Sequence, residues 1–177
     1  GVLERYKPRV VATALPSRTA ESYIQALLSS SYTVVDVSYV GFDPYKYSDL
    51  CREKRVAYVV DAGFAPGFSN LVVAWLQSKL GVLDSVAIYV GGNPADPQPP
   101  LYYEVTWSAE DLIEEYTRPA RIVRECRVVE VDPLSEVFEV EVPGLGRFEA
   151  FYSDGLRTML VNVKACEMFE ATLRIPG

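Results

Sequence analysis

The sequence predicts an α/β protein: the C-terminal half of a Rossmann-like parallel sheet, followed by an α+β region with a mixed, largely antiparallel sheet. Over residues 1–81, short apolar runs rich in β-branched residues alternate with helical patterns, as in a parallel sheet covered on both faces. From residue 82 onward, apolar and charged residues alternate, which is typical of antiparallel strands with one solvent-exposed face. We therefore expect two regions, 1–81 and 82–177.

The elements of the first region follow from periodicity. Ala20, Ile24 and Leu28 recur at helical spacing after Pro16 and Ser17, which predicts a helix with Ser17 as its cap. The apolar runs predict strands over 9–15, 33–37 and 56–60. The intervening patterns predict helices over 17–28, 48–54 and 66–80.

The second region contains more strands than helices. Ser108 precedes a helical pattern that ends at Pro119, and a serine in that position is a good N-cap. A short helix is expected around 156–160, with Asp154 as a possible cap. Strands are expected over 86–90, 101–106, 121–131, 136–142, 147–152 and 168–174.

Composition excludes several functional classes. The chain has 177 residues, a formal charge of -7 and no histidine. A net acidic chain without a basic run disfavours nucleic acid and anionic membranes as partners, and no apolar stretch is long enough to span a bilayer. The lack of histidine removes Ser-His-Asp and Cys-His nucleophile systems from this stretch of chain. A metal site is not expected either.

The cysteines Cys51, Cys126 and Cys166 are odd in number and widely separated. No disulfide framework or C-x-x-C site can be recognised from this spacing. We therefore expect three small buried side chains in a reducing, cytoplasmic compartment.

Candidate ligand-binding segments lie at the carboxyl ends of the three predicted parallel strands, over 14–18, 36–40 and 61–67. The third segment contains two glycines and a proline before a helix, so its backbone can turn tightly and approach a ligand. The usual G-x-G-x-x-G turn for a dinucleotide does not occur in the sequence. Gly144 and Gly146 lie between alternating strands and indicate a hairpin.

Seven segments together resemble saccharopine dehydrogenase-like oxidoreductases, especially the lysine 6-dehydrogenase branch. They include the strand end 35–40, the Asp-Ala-Gly-Phe-Ala-Pro-Gly-Phe-Ser-Asn loop and the Val-Gly-Gly-Asn-Pro turn. The others, in chain order, are 106–108, 115–120, 150–158 and 171–177. Members of this family begin with a glycine-rich strand-turn-helix and continue past this C-terminal motif. The resemblance thus implies that the chain is part of a longer enzyme, to which the lack of histidine need not apply.

This resemblance implies NAD- or NADP-dependent oxidation of an amino-acid C–N bond, with an imine as product. By position, the residues expected along the cofactor are Leu15, Pro16, Ser17, Ser38, Tyr39, Val40, Val90 and Gly91. The residues expected at an amino-acid substrate are Arg118, Tyr152, Ser153, Asp154 and Arg157. The choice between NAD and NADP stays open, because the selecting residue would lie upstream.

The chemistry needs a guanidinium for the substrate carboxylate and a base for its ammonium group. Arg118 and Arg157 are the guanidinium candidates, although each could be a surface arginine at a helix end. Asp61, Asp154 and Tyr152 are the candidates for the base, and the sequence does not choose among them. The alternative function is a non-catalytic oligomerisation module, in which the antiparallel sheet of the second region forms a homodimer interface.

Overall fold

The computed structural model describes residues 1–176 and divides into two compact units, Gly1–Phe68 and Ser69–Gly177. This division falls earlier than the predicted boundary near residue 81. The helix that follows the third parallel strand contacts the second unit, since Asn70 donates to Thr158 and Gln77 donates to the Asn162 carbonyl. That helix therefore belongs with the second unit.

The first unit is a parallel β-sheet with helices, as predicted. Its three strands pair in the order β1-β2-β3, all parallel. A 3₁₀ turn over Pro44–Tyr47 precedes α3. The elements in chain order are α1 (Val2–Tyr6), β1 (Val10–Thr13), α2 (Ser17–Ser29), β2 (Thr33–Asp36), α3 (Ser48–Lys54) and β3 (Tyr58–Val59).

Helix α2 forms because its apolar residues fall on one face. Ala20, Ile24 and Leu28 are fully buried and pack in a core with Val34 and Val40. Its N-cap is Pro16 rather than the predicted Ser17, and the Pro16 carbonyl accepts the N–H groups of the first turn.

The second unit is built on a mixed six-stranded sheet. Its antiparallel path runs β6-β5-β9-β8-β7, and β4 pairs with β9 in parallel. The mixed, largely antiparallel sheet that the sequence predicts is confirmed. The elements are α4 (Phe68–Leu80), β4 (Leu83–Val90), α5 (Ala109–Thr117), β5 (Ala120–Arg124), β6 (Arg127–Val131), β7 (Val137–Val142), β8 (Gly146–Ser153), α6 (Met159–Asn162) and β9 (Ala165–Arg174).

Strand β9 lies at the centre of this sheet and presents two different faces. Met168 packs in an apolar core with Val73 of α4 and Met159 of α6. The other face carries Ala171 and Leu173, which pack in a second apolar cluster.

Two predicted strands differ from the structure. Residues 101–106 form no strand, because the cluster of prolines before them holds the chain in a loop. The run 121–131 is not one strand but two, β5 and β6. Glu125 and Cys126 have positive φ angles of 50° and 62°, which makes the two-residue hairpin turn that suits the twist of antiparallel strands.

The expectation of three separate, reduced and buried cysteines is wrong for two of them. Cys126 and Cys166 form a disulfide across 40 residues of sequence, and both residues are exposed. The hairpin turn of β5 and β6 lies beside the start of β9, which brings the two together. A cross-link closing a loop of this length stabilises a fold by about 2–4 kcal/mol. Cys51 is the free cysteine.

The longest helices, α2 and α4, have 13 residues each and are therefore about 20 Å long. Within residues 1–176, no helix is long and apolar enough to cross a membrane.

Candidate functional site

A buried carboxylate organises the strand ends of the first unit. Asp36, the last residue of β2, is fully buried. It accepts hydrogen bonds from the Thr13 hydroxyl at 2.7 Å, the Tyr58 hydroxyl at 3.1 Å and the Ser38 N–H at 3.0 Å. Because Thr13 ends β1 and Tyr58 is the first residue of β3, one carboxylate joins the carboxyl ends of β1 and β2 to the start of β3. We call Thr13, Asp36, Ser38 and Tyr58 the strand-end cluster.

This cluster fixes two of the segments that the family resemblance assigns to a cofactor. The Ser38 hydroxyl accepts a hydrogen bond from the Leu15 N–H at 2.8 Å, so the loop after β1 and the loop after β2 are joined. Pro16 is exposed, whereas Ser17 and Tyr39 are half-buried. The Val40 side chain, by contrast, lies in the apolar core.

The two ends of the glycine-containing loop after β3 contact each other through the backbone. Gly63 and Gly67 form an isolated bridge, and the Phe68 N–H at the start of α4 donates to the Gly63 carbonyl at 2.9 Å. A Cβ on Gly67 would lie 2.0 Å from the Gly63 carbonyl oxygen, and its φ of 148° disfavours a side chain. Asp61, at the entry to this loop, is buried and has a positive φ of 51°, which is uncommon for a residue with a side chain.

In the second unit, the segment between β8 and α6 is held by an ion pair between the buried Asp154 carboxylate and the part-exposed Arg121 guanidinium. The Asp154 side chain is 6% exposed and forms two hydrogen bonds with the Arg121 guanidinium, at 2.9 and 2.8 Å. It also accepts the Arg121 backbone N–H at 3.1 Å. Bidentate pairs of this type are geometrically specific as well as strong. Asp154 does not cap α6, whose N-cap is Thr158.

A second buried carboxylate holds the same segment from strand β9. Glu170 is 4% exposed, and the Ser153 hydroxyl donates to its Oε1 at 3.3 Å. The backbone of Gly155 lies so close that a Cβ there would be 1.6 Å from this oxygen. The absence of a side chain at Gly155 therefore lets the segment lie over Glu170.

Arg157 lies three residues beyond Asp154 in the 153–158 segment. It is 7% exposed and has a positive φ of 49°. Its carbonyl accepts the Leu160 N–H at 3.2 Å. A buried guanidinium in a segment fixed by two carboxylates suits the binding of a planar anion such as a carboxylate.

Tyr152 does not join the side chains of the segment that follows it. Strand alternation places it on the opposite face of the sheet from Ser153 and Glu170. Its ring packs with Phe138 at 5.4 Å and Phe169 at 5.3 Å, with the Arg124 guanidinium above it. The side chains of Tyr152 and Ser153 therefore lie on opposite faces of the sheet.

The remaining predicted residues lie elsewhere in the second unit. Arg118 ends α5 and pairs with Glu114 one turn earlier. Val90 ends β4 opposite Thr172. Gly91 follows it in close contact with Leu173, where a Cβ would lie 3.3 Å from the Leu173 Cβ.

A pocket of about 210 Å³ opens near the end of β9. The Arg174 guanidinium lies 4.4 Å from the centre of the Tyr103 ring and donates to Glu115 at 2.9 Å. Tyr116 and Phe151 stack beside it. Because Glu115 neutralises Arg174, the pocket offers mainly aromatic and aliphatic surface, with Glu149 as a further charged residue of its lining.

Sequence reasoning placed Asp36 in the candidate segment 36–40 without giving its side chain a role, and it did not select Arg121 or Glu170. A signal existed for Asp36, because an acid within the apolar run 33–37 must be buried and therefore hydrogen-bonded. A similar signal existed for Glu170, which lies among apolar residues of the predicted strand 168–174. No sequence signal pointed to Arg121, because its partner Asp154 lies 33 residues away in the chain.

Comparison with known proteins identifies the family. The model of the saccharopine dehydrogenase C-terminal domain family matches residues 63–177. The chain therefore belongs to this family, as the resemblance of its motifs predicts.

A solved structure supports the same fold. The chain is similar to apo histidine-tagged saccharopine dehydrogenase (L-Glu forming) from Saccharomyces cerevisiae, with a TM-score of 0.73 and 18% sequence identity. The match covers 97% of this chain and 41% of that chain. The chain thus spans about two fifths of the length of this relative.

We expect Asp36→Ala to destabilise the first unit by about 3 kcal/mol, because three donors, two of them buried, lose their acceptor. Urea unfolding followed by far-ultraviolet circular dichroism measures this loss. Asp49→Ala is the matched control, since the ion pair of Asp49 with Arg52 is exposed and contributes little. Equal stability of the two variants would contradict the organising role of Asp36.

We expect Gly155→Ala to lower the free energy of unfolding by about 1–3 kcal/mol, because the added methyl group overlaps the buried Glu170 carboxylate. Gly92→Ala is the control, since nothing lies within 4 Å of a Cβ at Gly92.

A double-mutant cycle with Glu170→Ala separates this overlap from a general glycine effect. In the Glu170→Ala background, the Gly155→Ala change should cost less than about 0.5 kcal/mol. An unchanged cost in that background would show that the close approach to Glu170 is not the cause.

Proposed function

We propose that the chain is part of an NAD- or NADP-dependent oxidoreductase acting on a C–N bond of lysine, saccharopine or a related amino acid. The observation that carries this proposal is the family match over 63–177. The similar yeast structure is that of a saccharopine dehydrogenase. The more specific proposal, that this enzyme belongs to the lysine 6-dehydrogenase branch, rests on the motif series alone.

The first unit would contribute to the nicotinamide side of the cofactor site. Leu15–Ser17 and Ser38–Val40 follow parallel strands at the edge where ligands of such sheets bind. Val40 would contribute its backbone, because its side chain is buried. The described residues suit this side of a dinucleotide better than its pyrophosphate, since the sequence contains no G-x-G-x-x-G turn. A bound nicotinamide would supply the hydride acceptor.

The second unit would contribute substrate recognition. We assign Arg157 to the substrate carboxylate, because its guanidinium is buried within the 153–158 segment and that segment is fixed by Arg121 and Glu170. Such fixation reduces the entropy lost when a substrate is ordered. Arg118, which follows α5 and pairs with Glu114, is the weaker candidate.

Deprotonation of the substrate ammonium must precede hydride loss and needs an acceptor. Asp154 is already bound to Arg121, and Tyr152 packs within the aromatic face of the sheet. Asp61 is the candidate to which we assign this role. Its burial and unusual backbone conformation are typical of strained functional positions.

We expect the full-length protein to form NADH or NADPH, measured by absorbance, with lysine, saccharopine or a related amino acid. Arg157→Lys should raise the KM for the amino acid about tenfold or more, because an ammonium cannot form a planar bidentate contact. Arg147→Lys is the control, since the Arg147 side chain is 65% exposed.

Failure of every such amino acid to produce reduced cofactor would overturn the substrate assignment. Equal effects of the Arg157→Lys and Arg147→Lys variants would overturn the role of Arg157 alone.

The second candidate function, an oligomerisation module, is favoured by α4. Leu71, Trp75 and Leu80 are 71%, 59% and 69% exposed, and Val72 and Leu76 are also exposed. These residues recur at helical spacing and form an apolar stripe, with the exposed Lys79 as its charged residue in the last turn. Since a twofold axis pairs such an apolar stripe with itself, we propose a second copy as its partner. The antiparallel sheet remains the other predicted homodimer surface.

We expect the chain to form a dimer that Trp75→Glu weakens about tenfold or more, because the substitution places charges within the apolar contact. Sedimentation equilibrium measures the dissociation constant. Ile113→Glu on α5 is the control, since Ile113 is similarly exposed at 65%. A monomeric wild-type chain, or a dimer that Trp75→Glu leaves intact, would exclude α4 as the interface.

A further inference from the structure

The exposed disulfide lies at the tip of the β5–β6 hairpin and joins it to β9. Cys126 is the second residue of the hairpin turn, and Cys166 is the second residue of β9. Beside the disulfide, the Cys126 N–H donates to the Cys166 carbonyl at 2.9 Å, and the Glu125 N–H donates to Glu167 at 2.8 Å. The tip is therefore held against β9 by one covalent bond and two hydrogen bonds.

Apart from this tip, the described ladder between β5 and β9 is short. Its Cα register consists of Val123 opposite Met168. Strand β6 pairs with β5 and forms the end of the sheet path. The disulfide is thus a major constraint on how β5 lies against β9.

Both strands also hold the 153–158 segment. Strand β5 provides Arg121, which binds Asp154 through three hydrogen bonds. Strand β9 provides Glu170, which accepts from Ser153 and lies beneath Gly155. Because neighbouring residues of one segment are bound to different strands, a shift of β5 relative to β9 must disturb the segment.

We propose that Cys126 and Cys166 form a reversible thiol–disulfide modification site whose oxidation state controls the order of the 153–158 segment. The disulfide is accessible because both residues are exposed. Oxidised protein has the hairpin locked and the segment ordered. Reduced protein has a looser hairpin and a more mobile segment.

The reductant is a small dithiol. One of its thiolates attacks a sulfur of the disulfide, which forms a mixed disulfide and releases the other cysteine as a thiolate. The second thiolate of the dithiol then displaces the remaining cysteine and closes a ring. The protein gains two electrons and two protons, and the dithiol becomes a cyclic disulfide.

Any consequence for substrate binding, through Arg157 in the 153–158 segment, rests on the proposed function. Thiol counting and amide exchange do not require dehydrogenase activity, so they test the modification site even if the substrate assignment fails.

The first measurement counts thiols in full chain purified in air. After denaturation and alkylation with iodoacetamide, we expect modification at Cys51 and an intact Cys126–Cys166 cross-link in a non-reduced peptide map. Burial raises the pKa of the Cys51 thiol, so denaturation is needed for its complete reaction. Modification of all three cysteines without reductant would overturn the proposal.

The second measurement compares hydrogen exchange before and after dithiothreitol under native conditions. We expect exchange in 120–131 and 153–158 to become about tenfold faster, because local opening becomes easier, while exchange in β4 stays unchanged. Reoxidation with diamide should restore the slow rates. Faster exchange confined to the hairpin tip, with 153–158 unchanged, would overturn the coupling.

Variants provide a second route to the same answer. The double variant Cys126→Ser, Cys166→Ser should exchange fast at 153–158 with or without dithiothreitol. Cys51→Ser, the matched control, should respond as the wild type does. Slow hydrogen exchange at 153–158 in the double variant would overturn the proposal. If that variant does not fold, reduction and reoxidation of the wild-type chain decide the question.

Discussion

Strand β9 is the constraint on which the second unit depends. It hydrogen-bonds to β4 along most of its length and to β5 and β8 at different residues. Along one face, its side chains change from apolar to polar. Met168 lies in the core, Glu170 lies beneath the 153–158 segment, and Thr172 and Arg174 bind Glu115 of α5. Because side chains alternate along β9, residues of one face contact the apolar core, the candidate substrate segment and α5.

The two units use the same physical device at their candidate sites. In each unit, a buried carboxylate accepts hydrogen bonds from separate chain segments: Asp36 joins β1, β2 and β3, and Asp154 joins β5 to the 153–158 segment. Burial makes these contacts strong and makes an unsatisfied partner costly. Rigid loops at strand ends result, and rigid positioning is what a binding or catalytic site requires.

The elements that could be predicted are those with local signals. The helix beginning at Ser17 and the cap at Ser108 follow from periodicity and side-chain chemistry, and the Ser108 hydroxyl accepts the Asp111 N–H at 3.3 Å. The break between β5 and β6 could not be predicted, because Glu125 and Cys126 are not typical of a turn with positive φ. The site was only partly predictable for a related reason: the sequence indicates that Asp154 matters but not that Arg121 binds it.

The sequence alone determines the fold class, the family motifs and the position of most helices and strands, because these depend on residues close together in the chain. Only the tertiary structure decides that Cys126 meets Cys166, that Glu170 lies against Gly155, and that Tyr152 faces away from Ser153. Each of these depends on which strands become neighbours and in which register they pair. A shift of one residue would place every side chain of a strand on the opposite face, and that register is set by the packing of the whole sheet.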